Sequence, residues 1–113
     1  MNPAGFPPPD PLRLPFRTDA VLAILRAKPD KADEFERLFT ELAAQVREKE
    51  TCNIAYRLCR TRSEPNTYKV LELYRDEAAL EAHRGSDHFR AAGPGLGGVL
   101  EGRPEIELLD AVG

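Results

Sequence analysis

From Ala20 the chain runs AVLAILRA, a short aliphatic and β-branched stretch compatible with a buried strand. The pattern then changes period. In PDKADEFERLFTELAAQVREKE the apolar residues Ala32, Phe35, Leu38, Phe39, Leu42, Ala43 and Val46 recur at steps of three and four, which predicts an amphipathic helix. Pro29 and Asp30 supply start chemistry, and Asp33 and Glu34 place acids in the first turn. CNIAYRLCRTR alternates, with Ile54, Tyr56 and Leu58 expected on one face. SEPN (63–66) is a turn cluster, and TYKVLELYR (67–75) is the next strand, so the two form a hairpin. DEAALEAHRGSDHFRAA reads as helical, with Ala79, Leu80 and His83 on one stripe and a break near Gly85. A glycine-rich stretch, GPGLGGVLEGRP, is expected to be a compact loop bordering a cleft, and EIELLDAV (105–112) a last strand.

The order β-α-β-β-α-β predicts a ferredoxin-like α+β domain, an antiparallel sheet with both helices on one face. Apolar residues on both faces of the strands leave the far side of the sheet in need of cover, and a homodimer packed sheet on sheet supplies it. The domain is expected over residues 19–113. Residues 1–18, with prolines at 3, 7, 8, 9, 11 and 15, form an extension that can enter neither a helix nor a central strand. Leu12, Leu14 and Phe16 could anchor such an arm on a partner subunit.

Composition narrows the function classes. A chain of 113 residues makes one domain, and 42% hydrophobic with 31% charged residues is ordinary for a globular protein. The net charge of −3 argues against a nucleic-acid partner, which calls for a basic footprint. The start MNPAGFPPPDPLRLPF has neither a basic n-region nor an apolar run, and no apolar stretch approaches the ~20 residues that span a bilayer. No membrane association and a cytoplasmic location are therefore expected. Cys52 and Cys59 are seven apart on one strand, roughly 23 Å at ~3.3 Å per residue, too far to pair within a chain.

Three kinds of chemistry remain. Gly93–Gly98 matches G-x-G-x-x-G literally, but it follows a helix and contains Pro94, so it is no dinucleotide fingerprint. His83 and His88 are five apart and do not share a helical face, although Asp87 aligns with His83 and Glu72 could approach from the sheet. That is a thin ligand set, and no metal is expected. Glu72 is an acid on an apolar, aromatic strand face with Tyr68, Val70 and Tyr74. If that face meets the helices, Glu72 and His83 make a carboxylate–imidazole pair, either a structural hydrogen bond or an acid–base pair poised near neutral pH.

Three stretches, AVLAILRAKPDKADEFERLF, IAYRL and KVLELYRDEAALEAHRGSDHF, together resemble the antibiotic biosynthesis monooxygenase superfamily, which includes small quinol monooxygenases. The resemblance implies a dimeric ferredoxin-like α/β barrel with a cavity in each subunit. It also implies oxidation of a quinol or polyphenolic aromatic by dioxygen without a cofactor. By position it makes His83 and Glu72 catalytic, and Tyr56, Tyr74 and His88 substrate-binding. Tyr74 stands where the family often has tryptophan, and the chain has none, which sets the haem-degrading branch aside. The same scaffold hosts an isomerase of small phosphorylated carbonyl compounds, for which Arg84 or Arg90 could hold the phosphate. A non-catalytic dimer that binds a small molecule is the third alternative.

Overall fold

The computed structural model describes residues 18–112. The elements are β1 (Thr18–Arg26), α1 (Ala32–Lys49), β2 (Asn53–Arg60), β3 (Thr67–Tyr74), α2 (Glu77–Arg84), α3 (Asp87–Val99) and β4 (Glu105–Ala111). All pairings in the sheet are antiparallel, in the order β2-β3-β1-β4. This is the ferredoxin-like α+β architecture expected from the sequence. Within one chain the sheet is open and does not close into a barrel. The proline-rich extension and its anchors Leu12, Leu14 and Phe16 lie outside the described residues, apart from Thr18, which opens β1.

The core forms where the periodicities meet. Phe35, Phe39, Leu42 and Val46 of α1 bury their stripe against Ala23 and Leu25 of β1, Tyr56 of β2, and Tyr68 and Val70 of β3. Phe35 and Tyr68 pack with ring centroids 4.7 Å apart, and Phe39 stacks on Tyr56 at 5.6 Å. The even-numbered face of β3 therefore meets the helices, and it carries Glu72 inward with it.

Three local expectations need correction. The start chemistry of α1 does not include a side-chain cap: Lys31 occupies the N-cap and makes no such bond. Ile54 does not share the inward face of Tyr56 and Leu58. A bulge between Asn53 and Ala55 makes it an extra residue that points to solvent. The break expected near Gly85 divides the helical stretch after Asp76 into two helices: Gly85 ends the first, and Ser86 caps the second by accepting from the Phe89 N–H. The glycine-rich stretch through Val99 is helix rather than loop, despite Pro94. Tertiary packing overrides its poor propensity: Ala92, Leu96 and Val99 seat on the core beside Leu38.

β4 is an edge strand exposed along its length, with Ile106, Leu108 and Leu109 open. Leu71 is likewise exposed on the outer face of β3. No helix among the described residues is long and apolar enough to cross a membrane.

Candidate active site

Between the sheet and the three helices lies a cavity of about 710 Å³. Its walls are mostly aliphatic and aromatic, including Val21, Ala23, Val70, Leu80, Tyr56 and Phe89. Two titratable groups of the kind that move protons face it: Glu72 from β3 and His83 from α2. Strand register explains the first, since Glu72 sits opposite Val21 of β1 and Tyr56 of β2 on the inward face. Helix geometry explains the second. Asp76 caps α2 through the Ala79 N–H at 2.9 Å, and the Leu80–His83 stripe then turns inward.

His83 is almost wholly buried and held by rings on three sides. Its centroid lies 5.3 Å from Tyr56, 5.3 Å from Tyr74 and 4.6 Å from Phe89. Its Nδ1 is bonded to the carboxylate of Glu50, at 2.9 Å to Oε2 and 3.1 Å to Oε1. The pairing expected from the sequence is therefore corrected: the acid on His83 is Glu50, and Glu72 shares the cavity with His83 without a hydrogen bond to it. Glu72 takes a different partner, accepting from the Tyr74 hydroxyl at 2.7 Å. The reason is the α1–β2 turn, which brings Glu50, at the C-cap of α1, against the end of α2.

Burial sets the proton affinities. It pulls His83 below the usual imidazole range, opposed in part by the hydrogen bond and charge of Glu50. It pushes Glu72 up to about 7, although the Tyr74 hydroxyl and Arg84 pull the other way. Burial also raises both Tyr56 and Tyr74, with the Glu72 charge adding to it, so the phenols stay protonated. At neutral pH the cavity thus presents a neutral imidazole and a carboxyl group close to half-protonation.

The other expected site residues separate by location. Tyr56 lines the cavity. Tyr74 is fully buried behind it and reaches it through Glu72. His88 does not border it. His88 Nε2 bonds to Glu50 Oε2, and both residues line a second cavity of about 380 Å³ with Cys52 and Asn53. Cys52 and Cys59 are free thiols.

Glu50, His83 and His88 are the described residues that bring three metal-type ligand atoms together, all within 4.8 Å of one another. Asp87 and Glu72 are not part of the group. Its nitrogen and oxygen atoms stand at hydrogen-bonding separations, whereas tetrahedral zinc at ~2.0–2.1 Å would spread them to about 3.3 Å. As arranged, the carboxylate serves two imidazole N–H groups. Sequence reasoning missed Glu50 because REKE reads as a solvated helix end. One signal was available: an acid at a helix C-terminus runs against the macrodipole and calls for a compensating partner.

Comparison with known proteins gives a consistent result. The family model "Antibiotic biosynthesis monooxygenase" matches residues 20–94. A Bacillus subtilis (strain 168) protein named as a monooxygenase, YcnE, is 35% identical over 89 residues, covering 79% of this chain and 83% of its own. A crystal structure from Caulobacter crescentus, named for antibiotic biosynthesis monooxygenase, superposes with a TM-score of 0.83 at 45% identity, over 86% of this chain and 92% of the other. A conserved protein from Methanosarcina mazei Go1 superposes with a TM-score of 0.76 at 31% identity, over 82% of this chain and 91% of the other.

Proposed function

Because the chain belongs to the antibiotic biosynthesis monooxygenase family, we propose that it oxidises a quinol or related polyphenol with dioxygen, without a bound cofactor. The observation that carries this reading is the state of His83. Its Nδ1–H is committed to Glu50, and Nε2 is left as the basic nitrogen beside an apolar cavity.

His83 Nε2 takes the proton of a phenolic hydroxyl, and the resulting imidazolium is held against the Glu50 carboxylate. The phenolate, in a cavity with few polar groups, is a stronger electron donor than in water. It reacts with dioxygen at a ring carbon, forming a C–O bond. Glu72 carries a proton near neutral pH and delivers it as the O–O bond breaks. One oxygen atom stays on the ring and the other leaves as water, and all four electrons come from the substrate, so a quinol becomes a hydroxyquinone. Tyr56 packs against the substrate ring, Tyr74 positions Glu72, and His88 positions Glu50.

The active species is a homodimer, with Leu71 and Leu109 on the outer sheet face covered by a second copy. Free Cys52 and Cys59 suit a reducing, cytoplasmic setting. Turnover under ¹⁸O₂ tests the reaction: one labelled atom is expected in the product and one in water. Turnover without dioxygen would replace this reading with the isomerase, and saturable binding without product would replace it with a binding module.

A further inference from the structure

Besides His83 and Tyr56, four ionisable side chains border the main cavity, and three of them are arginines. They come from separate segments: Arg84 from the end of α2, Arg90 from α3 and Arg103 from the connection to β4. Glu72 is the one acid among them. This convergence runs against the overall charge of the chain, which is −3.

The arginines are only lightly engaged. Arg84 meets Glu81 through one nitrogen at 3.2 Å, and Arg90 meets Asp87 through one at 2.9 Å, both between neighbours on one helix and both exposed. Exposed pairs of this kind hold their partners only weakly. Arg103 forms no ion pair with any described residue. A guanidinium has five donors in a planar fork matched to carboxylate and phosphate oxygens, so most of this donor capacity is open to a ligand. The interior of the cavity offers the opposite chemistry, aliphatic walls with Tyr56 and Phe89.

We propose that the cavity takes an amphiphilic substrate, a phenolic ring bearing an anionic oxygen group, with the ring in the apolar interior and the anion held by Arg84, Arg90 and Arg103. This rests on the monooxygenase reading for the phenolic ring, while the anion site stands on the arginines alone. Carboxylate and phosphate share the recognition chemistry, and the test separates them.

Calorimetry without dioxygen compares 2,5-dihydroxybenzoate with 2,5-dihydroxybenzyl alcohol, and 4-hydroxyphenyl phosphate with hydroquinone. At least one anionic member is expected to bind about tenfold or more tighter than its neutral counterpart, as charge-assisted hydrogen bonds would give. The preference should shrink in about 0.5 M salt, where the Debye length falls to ~4 Å, and in Arg103→Gln. It should vanish in the triple Arg84→Gln, Arg90→Gln, Arg103→Gln variant. Whichever anion shows the larger preference identifies the group. Equal binding of neutral and anionic members, no binding of either anion, or a preference that survives the triple variant would overturn the proposal. Binding is read apart from turnover, so a protein that prefers anions but consumes no dioxygen would refute the monooxygenase reading and leave the anion site standing.

Discussion

The Glu50 carboxylate stands between two histidines that border different cavities, bonded to His83 Nδ1 at 2.9 Å and to His88 Nε2. A buried imidazole that works as a base needs its tautomer fixed and its charged form compensated, and this carboxylate does both.

Replacing Glu50 by Gln keeps an oxygen that can accept from Nδ1–H but removes the negative charge. Turnover should fall by ~10²-fold or more, the scale on which orienting carboxylates act in other histidine-based sites. The pH profile gives a sharper sign. Burial lowers the His83 pKa and Glu50 raises it, so losing the charge moves the acid limb of kcat/KM to lower pH. An acid limb that stays in place would mean that Glu50 does not act on His83.

Glu72 makes stability depend on pH. Its folded-state pKa of about 7 lies above the ordinary 4.5, so the folded state binds the proton more tightly than the unfolded chain. The associated stability is fully present below about pH 4.5 and is lost as pH rises through 7. Glu72→Gln is never ionised and escapes that loss. The variant should match the wild type near pH 4.5 and exceed it by on the order of 1–3 kcal/mol at pH 8. Urea unfolding at the two pH values measures the difference, and a gap that does not widen with pH contradicts the burial assigned to this carboxyl.

The outer face of the sheet bears on assembly. Leu71 and Leu109 are about half exposed, and in the homodimer proposed above a second copy covers both. Leu71→Lys should convert a dimer to a monomer in analytical ultracentrifugation while circular dichroism stays unchanged. An unchanged sedimentation profile would contradict the proposed interface.

Most of the architecture was legible in the sequence because period and burial agree: the 3–4 spacing of α1 and the alternation of β3 each bury the residues they mark. Ile54 escaped because a bulge adds a residue without a distinctive sequence signal. The last seven residues of α3 escaped because Pro94 and four glycines argue against a helix that Leu38 and the core nevertheless hold in place. In the site, Glu72, His83 and Tyr56 were legible as polar or aromatic groups on apolar faces. Glu50 was not, since its partner is 33 positions away and only the docking of α2 against the end of α1 brings them together.

The most direct test of cofactor-free oxidation at His83 is dioxygen uptake by metal-stripped protein with a panel of hydroquinones and polyphenols, beside the His83→Ala variant. Uptake by the stripped wild type and a ~10²–10⁴-fold loss in the variant are expected, the range for a general base. Equal uptake by the two proteins, or uptake that returns only when metal is restored, would contradict that chemistry.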